Sequence, residues 1–185
     1  MVGHILQYHP AVKRLKELVL DGELGKIQYL YSNRLNIGKI RTEENILWSF
    51  APHDISVIQS LLQDEPTLVA CQGGAYLSPD VLDITTTEFL FPGGVRAHIF
   101  VSWLHPFKEH RFVIIGSEGM IHFEDSSEDK PLLFYNKKAE LNLSTPKPKS
   151  GKTKSINYNK EKPLTNELKY FLSRLENKKI KIADG

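Results

Sequence analysis

Near Pro66 the spacing of apolar residues turns from mainly helical to a sustained period of two, and that change decides what the chain can fold into. Before it, Val12, Leu15, Leu18 and Val19 recur at the spacing of one helix face, behind Pro10, which suits a first helical turn. "KIQYLYSNRLNI" follows as a strand rich in aromatic and branched residues. Ile55, Ile58, Leu61 and Leu62 then predict a second helix, from about Pro52 to near Asp64. After Pro66 the period is two. "TLVACQGGAYL", "LDITTTEFLF", "VRAHIFVSWL", "HRFVIIG" and "GMIHFED" all read as strands, several of them joined by short Gly-containing turns. In the third, Val95, Ala97, Ile99 and Val101 alternate with Arg96, His98, Phe100 and Ser102, which predicts one dry sheet face and one mixed face.

A closing helix is expected over "LTNELKYFLSRLENK", with Leu164, Leu168, Phe171, Leu172 and Leu175 on one side. The class is therefore α+β: a mostly antiparallel open sheet with helices packed on one face. No Gly-x-Gly-x-x-Gly follows a strand, so no dinucleotide-binding fold is expected within the chain. Residues 137–162 carry eight lysines among Pro, Ser and Gly, and read as a solvated loop excursion with a short edge strand around Ile156 to Tyr158.

Composition narrows the function classes. The 185 residues suit a single domain, 41% of them are apolar, and a net charge of +2 argues for no nucleic-acid partner. The lone Cys71 excludes an intrachain disulfide and a cysteine-based metal site. The N-terminus lacks signal-peptide character, and no run approaches the roughly 20 apolar residues that span a bilayer. A soluble, cytoplasmic protein with no membrane partner is expected.

Seven histidines are present, none in a His-Glu-x-x-His pattern. His98, His110 and His122 fall on separate strands, so their convergence on a metal is the weakest of the readings considered. His53 offers more. Placed in the first turn of its expected helix, it would be held neutral by the dipole and suited to taking a proton from a hydroxyl. Its neighbour Asp54 would point about a quarter-turn away. Just upstream, Asn33, Arg34, Asn36, Lys39 and Arg41 lie within nine residues, and Trp48 stands beside them. Such amides and cationic forks suit a ligand with phosphate or carboxylate groups and several hydroxyls, or else an exposed sheet edge. Strand alternation places Arg34 and Asn33 on opposite faces.

These stretches, with "VGHILQYHPAVKRLKELV", the hairpin "VIIGSEGMIHFED" and the final "KIADG", resemble the C-terminal domain of the Gfo/Idh/MocA oxidoreductases over nearly the whole chain. "YSNRLNIGKIRTEENILWSFAPHDIS" looks most like the bacterial nucleotide-sugar dehydrogenases, which act on UDP-N-acetylglucosaminuronate at its 3-hydroxyl. The resemblance implies a substrate-binding and oligomerisation domain over residues 1–185. NAD or NADP would be held mainly by an N-terminal Rossmann domain outside the chain. It also implies a homo-oligomer, dimer or tetramer, formed through the sheet face. His53 is the implied proton acceptor or relay, and Asn33, Arg34, Asn36, Lys39, Arg41 and Trp48 are the implied substrate contacts.

Three departures follow. The family's Glu-Lys-Pro motif would precede Met1, Ser49 stands where many relatives carry an aspartate, and a further helix commonly follows the position of Gly185. The chain therefore looks truncated at both ends, and alone it is expected to be inactive. The alternative reading is a stand-alone, non-catalytic sugar-binding or scaffold protein with the same fold.

Overall fold

The computed structural model describes residues 1–142, 145–175 and 179–184. Its centre is an eight-stranded sheet in the order β10-β7-β6-β5-β1-β4-β3-β2. The strands are β1 (Ile27–Leu35), β2 (Leu68–Gly74), β3 (Ile84–Leu90), β4 (Arg96–Ser102), β5 (Glu109–Gly116), β6 (Met120–Glu124), β7 (Leu132–Tyr135) and β10 (Thr153–Ser155). β1 runs parallel to β4 and antiparallel to β5, and every other neighbouring pair is antiparallel. The class expected from the period change is thus the one observed.

Alternation sets the two faces. Leu30 and Ser32 of β1, Ala97, Ile99 and Val101 of β4, Phe112 and Ile114 of β5, and Ile121 and Phe123 of β6 are buried. They meet Leu15 and Leu18 of α1 (Pro10–Leu20) and Ile46, Val57, Ile58 and Leu61 of α2 (Ile46–Leu62) in one core. The other face carries half-buried Tyr29, Tyr31, His98 and Phe100, with Tyr31 stacked on His98 at 5.3 Å and 6°. Where β5 ends, Gly116 lies so close to the Leu24 carbonyl that no side chain would fit.

Three expectations are corrected. First, α2 starts at Ile46, not near Pro52: Asn45 caps it by accepting the Trp48 backbone N–H at 3.1 Å, and Pro52 lies inside the helix. His53 is therefore in the third turn, away from the dipole end. Second, the Lys-rich stretch forms a two-stranded hairpin, β8 (Lys138–Asn142) with β9 (Thr145–Lys149), and its edge strand is Thr153–Ser155, not Ile156 to Tyr158. Ile156 and Tyr158 lie just past it and pack against the core, Ile156 with its backbone N–H donating to the Leu132 carbonyl at 2.8 Å and Tyr158 with its hydroxyl donating to the Lys130 carbonyl at 2.6 Å. Third, in α3 (Pro163–Leu172) the apolar stripe is not buried. Leu164, Leu168, Phe171, Leu172 and Leu175 are exposed, and the one buried residue of α3 is Glu167.

The strand histidines do not converge. His110 points to the helix face beside Arg34, whereas His98 and His122 lie on the opposite face. Among the described residues no helix is long and apolar enough to cross a membrane.

Candidate active site

Arg34 leaves β1 on the helix face and meets α2 from below. Its Nε donates to Asp54 Oδ2 at 2.8 Å and its Nη2 to Asp54 Oδ1 at 3.4 Å, with the side chains 13% and 3% exposed. Burial opposes the guanidinium's charge, but the Asp54 carboxylate and its hydrogen bonds outweigh it and hold the proton more firmly than usual. Arg34 Nη1 reaches His110 Nδ1 at 3.5 Å. Burial, then the charges of Arg34 and Lys108, push the His110 imidazole down to about 4, so its nitrogen receives the contact as a neutral ring.

His53 precedes Asp54 and stands on an adjoining flank of α2. Burial, then the Arg34 guanidinium, lowers its proton affinity, with His4 adding to this and Asp54 opposing it. The neutrality expected from the helix dipole is thus supplied by desolvation and a fixed cation. Its Nδ1 is shut off from solvent and has no hydrogen-bond partner among the described residues. The ring meets that of His4 edge to face, with centroids 5.7 Å apart and planes at 87°.

Beside the pair runs a groove of about 300 Å³ lined by His4, Leu47, Trp48, Pro52, Ile55, Ser56 and Gln59. Trp48 is 70% exposed there, an aromatic surface on which a ring could stack. The groove offers an apolar wall and polar groups from Ser56 and Gln59; its histidine is His4, and His53 lies behind it, against the His4 ring.

The residues singled out from the sequence divide. Arg34 and His53 come together at α2, whereas Trp48 lies on the groove side of that helix, with His4. Lys39 and Arg41 lie exposed on the loop leading to it, Arg41 paired with Glu44 at 2.9 Å. Asn36, just past β1, is half-buried and tied by its backbone N–H to the Ser102 carbonyl. Asn33 does not join them: it faces the other side of the sheet, where its amide donates to Glu109 at 2.8 Å. Asp54, His4 and Gln7 are additions. Asp54 could have been found from its four-residue spacing to Ile58 on the helix's buried side; His4 carried no such signal. Among the described residues no strand leads through a glycine-rich turn into a helix N-terminus, the arrangement that cradles a dinucleotide's pyrophosphate.

The family model of the GFO/IDH/MocA C-terminal domain matches residues 12–122. No curated protein matches the chain. A UDP-N-acetylglucosamine 3-dehydrogenase from Acidithiobacillus ferrooxidans has a similar structure, with a TM-score of 0.76 and 22% identity, over 95% of this chain and 53% of that one. An inositol dehydrogenase homolog from Azotobacter vinelandii, solved with NADH and myo-inositol, gives 0.70 and 14%, over 92% and 51%. At these identities the likeness is one of fold. The chain spans about half the length of these structures.

Proposed function

The chain belongs to the GFO/IDH/MocA C-terminal domain family, and on that premise we propose that it is the substrate-facing half of an NAD(P)-dependent oxidoreductase acting on a sugar hydroxyl. A nicotinamide cofactor would supply the hydride acceptor; in this reading it would be held mainly by a second domain, and the described residues would present the substrate to it. His53 accepts the hydroxyl proton. The observation that carries this reading is an imidazole whose proton affinity is lowered by burial and Arg34, packed against His4 on the wall of a groove that also holds an exposed tryptophan. Trp48 supplies a stacking surface, while Lys39 and Arg41, on their exposed loop, are available to anionic groups of the ligand.

The substrate class is a nucleotide sugar, either a UDP-N-acetyl-hexuronic acid or a close relative. The "YSNRLNIGKIR" stretch supports it, as does the structural likeness to an enzyme named for UDP-N-acetylglucosamine. The half-buried aromatics Tyr29, Tyr31 and Phe100 on the outer sheet face suit an interface between copies. The test is an assay of the protein assembled with its cofactor domain, supplying UDP-N-acetylglucosaminuronate and NAD or NADP. Reduced cofactor is the expected product. Sugar-nucleotide binding without turnover would favour a non-catalytic binding protein of the same fold.

A further inference from the structure

The segment that carries His4 and the helix that carries His53 are fastened to each other by one buried amide. Gln7 is 5% exposed. Its backbone N–H donates to the His4 carbonyl at 2.9 Å. Its side-chain nitrogen donates to the Ser56 carbonyl at 2.6 Å and to Ser56 Oγ at 3.2 Å. Ser56 Oγ in turn donates to the His53 carbonyl at 2.7 Å. Gln7 Oε1 accepts from Lys16 Nζ at 2.9 Å, which fixes the amide with its nitrogen towards α2. A fully satisfied buried amide is thus spent on setting one histidine's main chain against the other's.

At the end of this strut the two imidazoles meet at 5.7 Å and 87°, and the Nδ1 of each is buried without a hydrogen-bond partner among the described residues. A histidine that takes a proton at one nitrogen ordinarily relies on an acceptor, a carboxylate or a carbonyl, for the N–H at the other. His53 has none among the described residues, since the carboxylate of Asp54 is engaged by Arg34. The group that lies against its ring is His4. A neutral aromatic ring attracts a cation to its face, and a charged one repels it.

We infer that His4 is a positioning residue for His53: the Gln7 strut holds its ring edge to face against the imidazole, where a charge on one ring opposes a charge on the other. This rests on the reading of His53 as the proton acceptor. The other charged groups around the pair are Arg34 and Asp54, Lys16 through Gln7, and Glu167 of α3, whose Oε1 lies beside Gly3. Two unit charges at the centroid spacing of 5.7 Å shift each other's titration by about 0.5 pH unit even in the dielectric of water.

The test is a histidine titration by long-range ¹H–¹⁵N spectroscopy of the ¹⁵N-labelled protein, with the variant His4→Phe. Replacing His4, whose charge lowers the proton affinity of His53, should raise the His53 midpoint by up to about 0.5 pH unit. In the assembled enzyme, His4→Phe should move the acid limb of the kcat/KM profile upward by that same shift. A His53 midpoint that stays within about 0.1 unit when His4 is replaced would overturn the inference. It would leave the role of His53 itself to be decided by its own turnover test.

Discussion

The Arg34 guanidinium on β1 clasps the Asp54 carboxylate on α2 through two hydrogen bonds, of 2.8 and 3.4 Å, and both side chains are nearly sealed from water. The pair pins the site helix to the sheet. Removing one partner leaves the other charge buried and uncompensated. Asp54→Ala should therefore lower the unfolding free energy by roughly 3–5 kcal/mol, read from urea denaturation. A loss below about 1 kcal/mol would mean that Arg34 finds water, as surface pairs do.

Acid should weaken the fold well before its carboxylates titrate. His9, His53, His98, His110 and His122 all have lowered proton affinity, with burial the largest cause in each. In the unfolded chain these rings protonate near 6.5, and in the fold they do so lower, His110 at about 4. The unfolded state thus takes up protons first, and stability present above 6.5 drains away as the pH falls towards about 4. The urea midpoint at about pH 5 should lie clearly below that at about pH 7.5. Equal midpoints would show that the rings are solvated.

Asp83 is a structural anchor apart from the site. Burial works against its charge, but it accepts from the Tyr76 N–H at 2.6 Å, the Trp103 indole at 2.6 Å and the Leu77 N–H at 2.8 Å, and these hold its carboxyl below the usual range. Asp83→Ala strands three donors and should cost roughly 3 kcal/mol. Asp83→Asn, which keeps an acceptor, should cost less. Equal losses in the two would rule out hydrogen bonding as the cause.

The leucines of α3 should behave as surface residues. Leu164, Leu168 and Leu172 are 55%, 52% and 63% exposed, whereas Ile99 of β4 is fully buried. Leu168→Ser should change stability by no more than about 0.5 kcal/mol, and Ile99→Ala should cost about 2–5 kcal/mol. A large loss for Leu168→Ser, measured on the monomer, would show that this face is covered.

Much of this architecture was legible in the residues. The two-residue period gave the dry face of β4 through Ala97, Ile99 and Val101, and it set Arg34 and Asn33 on opposite faces. Strand order was not legible: nothing local says that β1 lies parallel to β4. The start of α2 was misplaced because Pro52 looks like a first-turn proline. The signal that counted was Asn45, whose side chain reaches the N–H three residues on. For α3 the pattern named the apolar side of the helix, but a pattern cannot say what covers it. His53 was found through its neighbours and the family resemblance. The source of its neutrality was not, because burial and the approach of Arg34 come from packing β1 under α2. His4 and Gln7 lie more than forty residues from His53 in sequence, and only the fold brings them to it.

The central claim is that His53 takes the proton, and the most direct test is the turnover of His53→Ala in the enzyme assembled with its cofactor domain. The expected result is a fall in kcat of several powers of ten with KM little changed, since the interaction lost belongs to the transition state. Unchanged turnover would contradict the account and leave His53 a packing residue of α2.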